Sequence, residues 1–111
     1  MRHTVSLKEN REFRSLYARG KNAAGVCLAI HTRRNRLGVT RLGVTVSSKL
    51  GGAVVRNRVR RRVKEAYRLE ENRFAKGFDI VVVARGRAVG AEFAALRNEL
   101  VRLGGKLGVY R

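Results

Sequence analysis

Proline and tryptophan are missing altogether, and cysteine and methionine each occur once. A lone cysteine excludes an intramolecular disulfide and any multi-cysteine zinc site, so Cys27 reads as a small buried apolar side chain in a strand. Acidic residues are scarce as well, with 8 Asp and Glu against 26 Lys and Arg in 111 residues. They show no paired arrangement: Glu65, Glu70 and Glu71 lie on a basic helical stretch and Asp79 opens a strand. Hydrolysis by the protein's own side chains needs carboxylates gathered around a metal, or a general acid and base pair, so no catalytic residue is assigned. His31 has no second His, Cys or carboxylate at ligand spacing on its own element, so no protein-bound metal is expected either. Long apolar runs are absent too. The longest, residues 26–30 and 80–84, fall far below the ~20 residues that span a bilayer. The N-terminal stretch MRHTVSLKENREF carries no apolar signal core, which makes the cytoplasm the expected location.

What is abundant is positive charge. The formal net charge is +18 and the pI about 11.7. Self-repulsion on that scale penalises the compact state, and a polyanionic partner relieves it. Nucleic acid fits best, because contacts to phosphates release counterions and bind strongly without reading bases. Hydrophobic residues still make up 44% of the chain and recur with regular spacing, which separates it from a disordered basic tail. The length suits one core, so residues 1–111 are read as a single domain.

In NREFRSLYARG, Phe13, Leu16 and Tyr17 stand at helical spacing, with Asn10 as the expected N-cap and Gly20 as the exit. GVCLAIHT and RLGVTVS alternate like strands, and the short basic loop between them predicts an antiparallel pair. KNAAG, residues 21–25, offers one further short edge strand, and His3 is expected outside ordered structure. A helix is predicted from about Ala53 to Glu71 with Gly52 as its cap. FDIVVVA, a nearly continuous β-branched run, reads as a strand buried on both faces in the middle of a sheet. AEFAALRNELVRLGG closes the pattern as a helix stopped by Gly104 and Gly105. The class is α+β, with helices packed on a small mixed sheet as a two-layer sandwich.

The stretch VVRNRVRRRVKEAYR concentrates seven basic side chains in fifteen residues. On a helical wheel Val55, Val59, Val63 and Ala66 fall within about 80° of arc, with Tyr67 at the margin. Arg56, Asn57, Arg60, Arg61, Lys64 and Arg68 fill the adjoining arc without an acidic residue among them. Solvated helix faces usually interleave both signs, because like charges four residues apart repel, so this unbroken row points to phosphate binding. Arg58 and Arg62 lie on the other flank beside Glu65, where an Arg62 to Glu65 pair is expected to support the helix. A DNA-binding role is disfavoured, since no helix-turn-helix partner precedes the basic helix.

LGGAVVRNRVRRRVKEAYR resembles the signature helix of the bacterial ribonuclease P protein subunit family, whose hallmark triplet here is Arg56, Asn57 and Arg58. LKENREFRSLYARGK resembles the family's first helix and GFDIVVVAR its last strand. The resemblance implies a ribosomal protein S5 domain 2-like fold with a left-handed βαβ crossover, an exception to the usual hand. It implies a protein, monomeric within a ribonucleoprotein, that assists a catalytic RNA in removing the 5′ leader of precursor tRNA, with Mg²⁺ used by the RNA. On this resemblance Arg56, Asn57, Arg58, Arg60, Arg61 and Lys64 face the catalytic RNA, and Arg68 extends their surface. Phe13, Tyr17 and His31 match positions lining the leader cleft, with Thr45 and Lys49 on or beside it. The pattern departs at His31, where an aromatic is common, at Gly52 for Asn, at Ser48 for Lys, and at Arg62, usually apolar. A ribosomal or general structural RNA-binding protein shares the same charge and fold type and stands as the alternative.

Overall fold

The computed structural model describes residues 1–111. In chain order the elements are β1 (Thr4–Ser6), α1 (Asn10–Arg19), β2 (Lys21–Ala24), β3 (Leu28–Arg34), β4 (Thr40–Val46), α2 (Ala53–Glu70), β5 (Phe78–Ala84) and α3 (Phe93–Lys106). The strands form one mixed sheet in the order β1-β4-β5-β3-β2. As its β-branched run predicts, β5 occupies the centre, with Ile80, Val81 and Val82 fully buried.

That placement overturns the expected pairing of β3 with β4. The two strands are linked by a short loop but do not touch edge to edge: β5 inserts between them, antiparallel to β3 and parallel to β4. Each therefore buys its hydrogen bonds from the same central strand, which has more apolar side chains to bury than either neighbour. The edge strand expected in residues 21–25 is present as β2, antiparallel to β3. β1, with no apolar signal of its own, joins the other edge parallel to β4.

Because successive side chains of a strand point to opposite faces, β5 divides the molecule. Ile80, Val82 and Ala84 face α2 and α3 in a core of 18 buried residues that includes Leu28, Ile30, Val59, Val63, Leu96 and Leu100. Val81 points to the other face, where it meets Leu7 and Leu16 in a cluster of 3, with Phe13 and Val83 packed beside them. The principal layer is thus α2 and α3 on the sheet, while α1 lies across the opposite face and leaves much of it open.

Several local expectations are corrected. Tyr67 is fully buried rather than marginal, its ring against Phe74 and its hydroxyl 3.1 Å from Thr4 Oγ1. α3 runs through Gly104 and Gly105 instead of stopping there. A β-carbon at Gly104 would stand 2.9 Å from Tyr110 Cβ and 3.0 Å from the Phe74 ring, so that glycine serves close packing. The turn out of α3 is made by Gly108 at φ 77°. Asn10 is the first helical residue of α1, with Glu9 in the capping position and no side-chain cap bond. His3 is ordered: its amide and that of Arg2 donate to the Glu71 carboxylate at 3.3 and 3.0 Å.

Candidate nucleic-acid interface

α2 is capped by Gly52, whose carbonyl accepts from the Arg56 amide at 3.0 Å. Val59, Val63, Ala66 and Tyr67 anchor its inner stripe, which turns the polar row outward. There Asn57, Arg60, Arg61 and Lys64 line a shallow hollow of about 360 Å³ with no hydrophobic residue in its wall. Asn57 Oδ1 accepts from Arg60 Nη1 at 2.9 Å, a bond that fixes one guanidinium edge and leaves the others outward. The structure therefore brings four of the sequence-predicted residues together. Arg56 sits half-buried at the base of the row with its Nε lacking a protein partner, and Arg58 projects to solvent on the other flank.

Arg68 differs from that group. It is exposed, but its guanidinium pairs with Glu65, which holds the Glu65 carboxyl below its usual range. The expected Arg62 to Glu65 pair is not formed. Arg62 Nη2 instead donates to the Ala91 carbonyl at 2.7 Å, just ahead of α3, so a residue that is basic where the resemblance has an apolar one joins two helices.

The second site lies between α1 and the sheet. Asn10, Phe13, Arg14, Tyr17 and Thr45 line a hollow of about 420 Å³. Its floor depends on Gly43: a β-carbon there would approach the Phe13 ring to 2.6 Å, so the absent side chain lets the ring lie on the strand. The Tyr17 hydroxyl stands 3.2 Å from Thr45 Oγ1, and its ring meets His31 edge-on with centroids 4.8 Å apart. Burial lowers the His31 pKa, which favours the neutral imidazole, and its Nδ1 has no hydrogen-bond partner. His31, half-buried against Tyr17, is not among the residues that line the hollow, and neither is Lys49. It is exposed on the single helical turn at residues 48–50, between the end of β4 and the start of α2. Sequence reasoning missed Arg14 and Gly43, and assigned Asn10 only to capping. The helical spacing of Asn10, Phe13, Arg14 and Tyr17 and the glycine inside a strand were the available signals.

The scarce carboxylates explain why the cations remain available. Asp79 is buried, and burial opposes its ionisation, but hydrogen bonds from Arg41 and Asn35 outweigh that and keep its pKa low. Glu12 also pairs with Arg41. Glu70 holds Tyr110 and Arg97, and Glu99 accepts from the amides of Cys27 and Leu28 at 2.9 and 2.8 Å. Glu71 holds the N-terminal amides, whereas Glu65 and Glu9 pair with Arg68 and Arg11 at the surface, so most of the acids are occupied by contacts of the fold itself. None lines the α2 hollow or the α1 cleft. No group of three or more His, Cys, Asp and Glu side chains stands together as a set of metal donors.

Comparison with known proteins finds relatives over nearly the whole chain. The family model described as Ribonuclease P matches residues 1–108. The ribonuclease P protein component of Thermoanaerobacter sp. (strain X514) is 41% identical over 109 residues, covering 98% of this chain and 94% of the relative. That of Clostridium botulinum (strain Langeland) is 39% identical over 105 residues, 94% of this chain and 95% of the relative. Among solved structures, the Staphylococcus aureus RNase P protein superposes with a TM-score of 0.86 at 28% identity, covering 98% of both chains. The RNase P protein from Thermotoga maritima gives 0.80 at 31% identity, over 87% of this chain and 92% of the other. A mixed sheet built around β5, a basic helix after β4 and this agreement in sequence and shape together make the chain a member of the ribonuclease P protein family.

Proposed function

We propose that this chain acts in tRNA processing as the protein subunit of a ribonuclease P ribonucleoprotein, an endoribonuclease whose RNA carries out the chemistry. The outward row of α2, with Asn57, Arg60, Arg61 and Lys64 at its centre and Arg56, Arg58 and Arg68 around it, binds the catalytic RNA. The cleft of Phe13, Tyr17 and Thr45, with His31 packed against Tyr17 and Lys49 beyond its end, takes the single-stranded 5′ leader of precursor tRNA. Guanidinium groups suit the first task because they pair with phosphates bidentately and stack on bases. Aromatic rings suit the second, since stacking tolerates any leader sequence. Mg²⁺ held by the RNA would supply the Lewis-acid chemistry, while the protein contributes charge neutralisation and substrate grip.

The observation that carries this reading is the pairing of an acid-free basic hollow on α2 with a separate aromatic cleft on the α1 face. Reconstitution tests it. The protein alone should leave precursor tRNA intact, and added to the ribonuclease P RNA of the same organism it should lower the Mg²⁺ needed for cleavage. Unchanged Mg²⁺ dependence refutes the reading. A general RNA-binding role predicts equal affinity of the assembled particle for precursor and mature tRNA, whereas a processing subunit favours the precursor.

A further inference from the structure

A third basic surface, beyond the C-terminal ends of α1 and α2, shares no lining residue with the α2 hollow or the α1 cleft. At the end of the sheet where β3 finishes and β5 begins, Arg34 pairs in register with Phe78. α2 starts after the other end, where Val46 of β4 stands beside Ala84. Seven-residue strands separate those two ends by roughly 20 Å. Around Arg34 are two hollows, of about 460 and 630 Å³, which share Arg34, Phe78 and Gly108 and so form one continuous groove. Arg19 and Lys21 border the first part, and Arg73 and Lys76 the second. No carboxylate side chain lines either part.

The groove is built rather than merely charged. The Arg34 guanidinium lies over the Phe78 ring, 5.6 Å from its centroid, and that of Arg73 over Tyr110 at 4.8 Å. An aromatic face holds each planar cation while leaving N–H edges to donate.

We propose that this groove binds an RNA phosphodiester backbone as a third contact surface, distinct from the α2 row and the α1 cleft. Its continuity across two hollows suits a strand with successive phosphates better than a single small anion. That the strand is RNA rests on the function proposed above. The binding of successive phosphates rests only on the groove.

The test is the salt dependence of binding to the ribonuclease P RNA, transcribed from the same organism, with and without precursor tRNA. The full-length triple variant Lys21→Ala, Arg34→Ala, Lys76→Ala should lower the magnitude of the slope of log affinity against log salt by about 2, at 0.7–0.9 per lost phosphate contact. The double variant Lys21→Ala, Lys76→Ala leaves Arg34 on Phe78 and should lose about two-thirds of that amount; it decides the matter if the triple variant melts early. A loss with the RNA subunit alone assigns the groove to that RNA, and a loss only with precursor tRNA present assigns it to the substrate. Unchanged slopes in both settings for a folded variant overturn the proposal. Arg60→Ala with Lys64→Ala, measured alongside, separates the two claims, because its slope reports the α2 row alone.

Discussion

The two faces of the sheet divide the work unequally. One is sealed by α2 and α3 over 18 buried residues, and the other is crossed by α1 with a buried cluster of 3. A strand such as β5 serves both faces through alternate side chains, so a single stretch of sequence supports a rigid core and an open cleft. Stability is concentrated on the closed face, and the open face is free to hold aromatic rings half-exposed. Tyr17 is 39% exposed, whereas Tyr67, on the closed side, is fully buried.

Substitutions can break that contrast. The largest effect should come from Leu100→Ala on the closed face, where the side chain is fully buried: about 2–5 kcal/mol of stability is lost, read by urea unfolding. Next is Asp79→Asn, which leaves Arg41 with Glu12 as its only charged partner and should cost about 3 kcal/mol. Because the folded Asp79 pKa is depressed, its contribution is complete above the ordinary aspartate pKa of about 4 and disappears as pH falls through the lower folded value. The variant's stability should accordingly vary less with pH in that acid window, measured by thermal melting across it. On the open face Phe13→Ala should cost less stability than Leu100→Ala but weaken precursor tRNA binding by about 1–3 kcal/mol per unstacked base, with assembly on the RNA subunit retained. Equal loss of assembly would dissolve the distinction between the two sites. The smallest effect belongs to Glu65→Gln, which releases Arg68 and should steepen the salt slope of RNA binding by about 0.7–0.9.

The row on α2 was legible because one helix and one periodicity define it: Val59, Val63 and Ala66 fix the inner stripe, and the outer row follows from spacing alone. The central position of β5 was legible from its apolar run for a similar reason. Strand partners were not. β3 and β4 look like a hairpin because their loop is short, and nothing local announces that a strand more than thirty residues later will separate them. The cleft was partly hidden for the same reason. Gly43 and Phe13 lie on different elements, and only their meeting explains why a strand interior carries glycine. The pairing of Arg68 with Glu65 and the reach of Arg62 to Ala91 depend on rotamers and on the entry to α3, which a wheel does not contain.

The clasp of Glu71 on the amides of Arg2 and His3 sets a timetable for synthesis. Arg2 and His3 leave the ribosome well before the carboxylate they need, which follows some 68–69 positions later, and β1 needs β4 to pair against. Until then the segment around β1 stays unanchored, so residues made well before their partners are among the last to find their place.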